Sequence, residues 1–326
     1  MPTVGVIANP AAGKDIRRLV AQGRVVSNQE KANVLRRVFA GLVAIGVDRI
    51  VIMPDRTGLA LPGMDDVRGA VRAEFLAMEP SGAQSDSTRA AAMMRDMRVS
   101  CIVTLGGDGT NRVVSKGCGD VPLVPVSTGT NNVFPQMAEG TLAGMAAGAI
   151  ATGIVAVKQA SRRSKRLDVL VDGELSDLAL VDAAVSRQMF VGARAVWEPQ
   201  ALESLFLTRA EPASIGLSSI GSRLRTIAMD DPLGLFLRFD GEPDETASTV
   251  IAPVAPGLVS SVEVAGWEVM QPGSMYPVRL RPGTLALDGE REVELLRDQS
   301  VEVSLCLDGP VVIDIGRTHE LMAGAR

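Results

Sequence analysis

The sequence predicts an α/β N-terminal domain, a parallel sheet flanked by helices over 1–156, followed by a β-rich domain over 157–326 whose last residues are free to pack back on the first. Three observations carry this. Apolar, β-branched runs alternate with helical periodicity in the first half, the rhythm of βα units. Past residue 156 the runs shorten, and Asp-Gly turn dipeptides separate them. At 326 residues the chain also exceeds what one hydrophobic core usually serves.

Thr3 to Ala8 reads as the first strand, closed by Asn9-Pro10-Ala11-Ala12-Gly13. Ser27-Asn28-Gln29-Glu30 is a capping box that opens a helix reaching about Ile45. Arg49 to Met53 is the second strand, stopped by Pro54, and a loop rich in Gly, Pro and Asp follows. A helix capped near Ser85 or Asp86 runs to Met97. Cys101 to Leu105 is a strand buried on both faces, followed by Gly106-Gly107-Asp108-Gly109-Thr110 and a short helix. Leu123 to Val126 is another strand, leading into Ser127-Thr128-Gly129-Thr130-Asn131-Asn132. Both motif loops follow strands, so both belong at one edge of the sheet, where ligands of parallel sheets bind.

Gly140 to Val157 is free of charge, with Gly140, Gly144 and Gly148 at the spacing of a membrane helix-packing motif. It is short for a span and diluted by Gly, Ala and Thr, so a buried crossover helix and a strand are expected instead. Arg162-Arg163-Ser164-Lys165-Arg166 reads as a basic linker. Beyond it come strands at Leu167–Val171, Leu178–Val185, Leu235–Phe239, Val262–Val264, Val278–Leu280, Thr284–Leu287 and Val301–Leu307, with turns at Asp172-Gly173, Asp240-Gly241, Asp288-Gly289 and Asp308-Gly309.

Composition excludes several functions. A net charge of −5 and an aromatic content of 3% disfavour a nucleic-acid binder. Three scattered cysteines, Cys101, Cys118 and Cys306, suit reduced thiols and a cytoplasmic setting. The single histidine, His319, rules against a Ser-His-Asp triad or a histidine-rich zinc site and is expected on a terminal helix. The N-terminus shows no signal-peptide pattern and no membrane span is expected. A homo-oligomer is left open.

The glycine loop is the most informative stretch. Gly106, Gly107 and Gly109 remove the Cβ atoms that would keep a phosphate from backbone amides, and Thr110 can cap the following helix, whose N-terminus favours anions. Asp108 inside such a cradle repels phosphate unless it holds Mg²⁺ or accepts a proton, which points to phosphoryl transfer. A plain βα connection with Asp108 as helix cap is the competing reading. Two standard nucleotide loops fail by position. A dinucleotide fingerprint needs glycine where Arg112 stands, and a Walker A loop ending in Gly13-Lys14 needs glycine at Ala8 and Ser or Thr at Asp15.

The arrangement resembles the NAD kinase and diacylglycerol kinase superfamily. Its members pair an α/β nucleotide domain with a β-rich substrate domain and bind ATP between them. The resemblance rests on Asn9-Pro10-Ala11-Ala12-Gly13-Lys14, on Gly106-Gly107-Asp108-Gly109-Thr110, and on Gly129-Thr130-Asn131-Asn132-Val133-Phe134. Leu287-Asp288-Gly289-Glu290 is similar to the Asp-Gly-Glu motif of the lipid-kinase branch, although Asp-Gly is also the commonest hairpin turn. The run from Ile7 to Leu19 and the stretch Phe190 to Trp197 most resemble the acetoin-catabolism protein X group within that superfamily.

The resemblance implies ATP and Mg²⁺ as cofactors, with Asn9, Lys14, Gly106, Gly107, Gly109, Thr110, Gly129, Thr130 and Asn132 holding the nucleotide. Asp108 is the candidate Mg²⁺ organiser or base, and Glu290 the other candidate base. The implied acceptor is a small molecule, NAD foremost. The acceptor side departs from the pattern. Val181-Asp182-Ala183 lacks the Asn-Glu pair of NAD kinases, Ser214 to Ser219 lacks the tyrosine of their later segment, and Val133 replaces the aspartate of the lipid-kinase loop. A lipid acceptor and a non-catalytic nucleotide sensor therefore stand as alternatives, and Arg187 and Arg194 are candidate acceptor contacts.

Overall fold

The computed structural model describes residues 1–12, 26–129, 132–188 and 199–324. Gly13, Lys14, Thr130 and the stretch 190–197, with Arg194, lie outside the described residues.

The first half is built as its apolar runs require. β1 (Thr3–Ala8) is buried throughout and leads to α1 (Asn28–Ala44), where the Ser27 hydroxyl accepts the Glu30 amide at 3.1 Å. β2 (Arg49–Ile52) follows. The loop after it contains α2 (Leu61–Asp66) and β3 (Arg72–Phe75), two short, half-polar elements that periodicity does not reveal. α3 (Ser85–Asp96) has no side-chain cap, because the Asp86 carboxylate instead accepts from Ser81 Oγ and Gly82 N at 2.9 and 2.8 Å. β4 (Cys101–Gly106), α4 (Asp108–Cys118), β5 (Leu123–Ser127), α5 (Gly140–Thr152) and the short α6 (Val157–Ala160) complete the run.

These strands form one sheet with β6 (Ser161–Arg163) and β19 (Val311–Ile313), in the order β3-β2-β1-β4-β5-β19-β6. Pairing is parallel except between β19 and β6. Val4, Val6, Leu105 and Val124 pack on one face beneath α1 and α5, and Ile7 and Ile102 line the other, covered by Met94 of α3 and Val114 of α4. The chain moves outward from β1 to β3 and then returns to β4 on the other side of β1. The loops after β1 and β4 consequently diverge at a switch point, where parallel sheets open a crevice.

α5 is a buried helix packed on α1, and the expected strand after it is replaced by α6. The small residues serve this packing: a Cβ at Gly144 would strike the Val38 carbonyl, and one at Gly140 would lie 2.7 Å from the Val34 carbonyl. We predict that Gly144→Val forces the two helices apart and costs about 3 kcal/mol; it is checked by urea unfolding, and a wild-type midpoint would refute the close approach. Among the described residues no helix is long and apolar enough to cross a membrane. α8 (Ile315–Gly324) packs on α5 and carries His319, whose Nε2 lies 3.0 Å from the Leu142 carbonyl.

The second half holds β7 (Arg166–Val171), β8 (Glu174–Ala179), β9 (Asp182–Ser186), β10 (Leu202–Leu207), α7 (Ser218–Ser222), β11 (Gly234–Arg238), β12 (Ser248–Ala255), β13 (Leu258–Val264), β14 (Gly266–Met270), β15 (Met275–Pro277), β16 (Gly283–Leu287), β17 (Glu290–Leu295) and β18 (Val301–Cys306). A six-stranded sheet runs β14-β11-β10-β9-β16-β17 and a four-stranded one β15-β18-β7-β8, with β12-β13 a separate ribbon. Leu167, Val169, Val303 and Leu305 of one sheet meet Val185, Phe206, Leu285 and Leu287 of the other in a shared core. The single expected strand Leu178–Val185 breaks at Leu180 and Val181, where the chain passes between sheets.

The basic run is not a solvated linker. Arg163 pairs with Asp120 and Asp308, and Arg166 with Asp168. Buried Lys165 donates to the carbonyls of Ala228, Asp231 and Leu233 at 2.6 to 3.0 Å. Burial lowers the Lys165 pKa to about 8.

Candidate functional site

The loops after β1, β4 and β5 stand side by side because their strands are neighbours in the sheet, and each is locked to the next. Asn9 Nδ2 donates to Thr110 Oγ1 at 3.0 Å while its Oδ1 accepts the Ala11 amide at 2.8 Å. Lys31, fully buried on α1, donates to the carbonyls of Asn9, Pro10 and Ala12 at 2.7 to 3.3 Å and so braces the first loop from beneath. Thr128 N donates to the Gly106 carbonyl at 3.1 Å, joining the loops after β4 and β5. Asn132 Nδ2 donates to Ser127 Oγ at 2.8 Å, and that hydroxyl donates to the Gly129 carbonyl at 2.8 Å.

The glycines do not serve a left-handed turn. Gly107 has φ −105°, and Gly106 and Gly109 likewise avoid positive φ. They serve close approach instead. A Cβ on Gly107 would lie 2.8 Å from Asn132 Oδ1, and one on Gly109 would lie 3.3 Å from Glu290 Oε1. The protein's own side chains thus occupy the flank of the loop that the sequence reading left clear. Thr110 is not the cap either, since α4 begins at Asp108 with Gly107 as N-cap and Thr110 is buried against Asn9.

Asp108 does not cap its own helix. The residue is half-buried, with its carboxylate turned onto the next loop. Its oxygens accept the Val133 amide at 3.0 and 3.1 Å and the Phe134 amide at 2.7 Å. Burial pushes its pKa up to about 7, and the Asp288 carboxylate adds to the rise; the two amides and Arg209 oppose it.

Asp288 and Glu290 divide two tasks between them. Asp288 (φ 52°) and Gly289 (φ 80°) turn β16 into β17 as the Asp-Gly pair predicts. The Asp288 side chain is buried and accepts the amides of Leu180, Val181 and Asp182 at 2.7 to 3.2 Å, with Arg112 Nε 3.9 Å away. Burial raises its pKa, and Arg112 counters that rise. Glu290, two residues on, is brought to Gly109, and its Oε2 accepts from Gln84 Nε2 at 2.8 Å. The same segment Val181-Asp182 that lacks the acceptor pair therefore anchors the hairpin.

Arg112, Lys31, Gln84 and Arg209 were invisible as site residues in the sequence, since nothing in their neighbours marks a buried cation or a long-range amide. Arg112 is fully buried on α4, bonds Asp177 of β8 at 3.2 Å, and fastens the glycine-loop helix to the β-rich half. Arg187 instead pairs with Asp240 and the Leu202 carbonyl. The hydroxyls of Ser214 and Ser219 bond local carbonyls of Glu211, Gly216 and Pro253. The three cysteines are free, and burial pushes the Cys101 thiol up to about 12.

Among the described residues no three His, Cys, Asp or Glu side chains gather as a metal cage. Mg²⁺ at phosphotransfer sites needs only one or two carboxylates beside the substrate phosphates. Asp108 and Glu290 are the carboxylates beside the glycine loop that could serve as such donors.

The comparisons with known proteins bear on this geometry directly. Residues 4–154 match the ATP-NAD kinase N-terminal domain family, and residues 165–308 match the acetoin catabolism protein X C-terminal domain. The chain is 40% identical over 317 residues to acetoin catabolism protein X from Cupriavidus necator, covering 93% of this chain and 88% of that protein. The chain belongs to the acetoin catabolism protein X family. In this family member the kinase-like half carries the glycine loop, the family-specific half delivers Glu290, and the two-domain fold expected from the resemblance is observed.

Proposed function

We propose that the protein is an ATP-dependent phosphotransferase that moves a phosphoryl group to a hydroxyl of a soluble nucleotide or small metabolite, with NAD the leading acceptor. The observation that carries this reading is the meeting of Glu290 from the β-rich half with Gly109 of the glycine loop, at a sheet switch point. In this reading the backbone of Gly106, Gly107 and Gly109 faces the phosphates, Asn9 and Thr110 hold the first two loops in register, and Gly129 and Asn132 shape the sugar side. Lys14 and Thr130 keep the roles that the motifs assign them. Glu290 accepts the hydroxyl proton, and Asp108, whose oxygens already bind two amides, sets the loop geometry. Asp108 or Glu290 would hold Mg²⁺, which would supply neutralisation of phosphate charge when bound.

The test is thermal shift with ATP and Mg²⁺, followed by turnover with NAD, NADH and a panel of hydroxylated metabolites. NADP formation establishes the NAD kinase reading, and turnover with another acceptor gives a kinase of altered specificity. Absence of any ATP response refutes the reading of the loop.

A nucleotide-responsive regulator without turnover is the second reading. It is favoured by one observation: the Asp108 carboxylate is fully explained by its two amide bonds, without chemistry. The name of the relative, acetoin catabolism protein X, supports a link of either role to acetoin catabolism. Stabilisation by ATP with no product from any acceptor selects the regulator. A lipid acceptor has no comparable observation behind it.

A further inference from the structure

Arg209 lies just beyond β10 and is 2% exposed. Its guanidinium carbon sits 5.6 Å from the centre of the Phe134 ring, and one terminal nitrogen donates to the Val133 carbonyl at 3.4 Å. Its Nε is buried with no hydrogen-bond partner among the described residues. A buried guanidinium with one long hydrogen bond and a bare Nε costs folding energy that an apolar side chain of the same volume would not. Stability is therefore a poor reason for an arginine here.

The segment it grips supplies a better one. Val133 presents its carbonyl to Arg209 and its amide to Asp108, and Phe134 presents its ring to Arg209 and its amide to Asp108. Phe134 also packs with Leu178, Leu180, Val181 and Val312 in an apolar cluster that joins the two halves. Two consecutive residues thus link a cation of the β-rich half to the carboxylate of the glycine loop.

We propose that Arg209 is a positioning residue for Asp108, through which the β-rich half sets the orientation of that carboxylate. Loss of the guanidinium therefore frees the Val133–Phe134 backbone whose amides hold the Asp108 carboxylate. The consequence for turnover rests on the phosphotransfer reading; the structural link does not.

The test is hydrogen exchange of the ligand-free full chain at pH 7, followed by mass spectrometry of peptides covering 127–138. Arg209→Met is expected to lose about tenfold protection there, with β4 peptides unchanged. Arg209→Lys, which keeps a cation and a donor but not the planar stack, recovers part of that protection. Unchanged protection in Arg209→Met overturns the proposal. If that variant does not fold, Arg209→Lys and Phe134→Leu replace it, and wild-type exchange in both overturns the proposal equally. Where turnover is measured, kcat falls in Arg209→Met and is partly restored in Arg209→Lys. Absence of wild-type turnover removes the phosphotransfer reading and leaves the exchange result standing.

Discussion

On the phosphotransfer reading, Glu290→Gln is expected to lower turnover about a hundredfold while ATP-induced stabilisation survives. The substitution removes the proton-accepting charge but keeps size and leaves an amide oxygen for Gln84 Nε2, which bonds Glu290 at 2.8 Å. The loss therefore falls on turnover and not on assembly of the loops. Asp108→Asn separates from it in kind. Its Oδ1 accepts both the Val133 and Phe134 amides and its Oδ2 shares the Val133 amide, and asparagine sets an NH2 donor against that amide in place of the second oxygen. That variant is expected to weaken the ATP response as well as turnover. Steady-state kinetics and thermal shift on the two variants decide the matter. Turnover within a few-fold of wild type in Glu290→Gln would remove Glu290 as the base and return that role to Asp108.

Asp288→Ala gives the largest expected loss of stability, about 3–5 kcal/mol, seen as a melting temperature lower by about 10 °C. The change orphans the buried amides of Leu180, Val181 and Asp182 and takes the near carboxylate from Arg112. It also puts a Cβ-only side chain at φ 52°, a backbone region where Asp and Asn are tolerated and Ala is not. Asp288→Asn keeps the left-handed preference and one acceptor, so roughly half the loss is expected. The hairpin that Asp288 secures also carries Glu290. ATP-dependent turnover should accordingly fall in Asp288→Asn even at temperatures where the protein stays folded. A melting temperature within 2 °C of wild type in Asp288→Ala would show that the three amide bonds are dispensable.

The pH dependence has a defined sign. Asp108, pushed up to about 7, binds more protons in the folded protein than in the unfolded chain between its ordinary carboxylate range and neutrality. Its contribution therefore favours folding at the acid end of that window and fades as pH rises through 7.

Local signals were legible wherever the chemistry was local. Ser27-Asn28-Gln29-Glu30 starts α1 as read, and the fully buried β1 and β4 follow from uninterrupted apolar runs that only a sheet covered on both faces accommodates. Asp172-Gly173 and Asp288-Gly289 turn with positive φ, as that pair requires. Where elements were short and half-polar, as in α2 and β3, periodicity had too few residues to register. The apolar stretch Leu178 to Val185 concealed a change of sheet at Leu180, because hydrophobicity reports burial and not which sheet provides it.

The candidate site shows the same division more sharply. The glycine loop, Asn9, Asp108 and Glu290 were all visible as residue types at strand ends, and so was the edge of the sheet that would carry them. What the loop's glycines accommodate was not. The flank predicted to be open is filled by Asn132 and Glu290, which arrive 25 and 183 residues later than Gly107, the difference of their chain numbers. Buried Lys31, Arg112 and Arg209 look like ordinary surface cations in the sequence, since desolvation depends on everything packed around a charge and nothing beside it in the chain. Sequence alone determined the order of the strands' apolar runs, their turns and the chemistry at their ends, all set by neighbours a few residues away. Only the tertiary structure decided which carboxylate meets the glycine loop and which one holds its backbone, because those contacts join residues whose proximity is created by the sheet order itself.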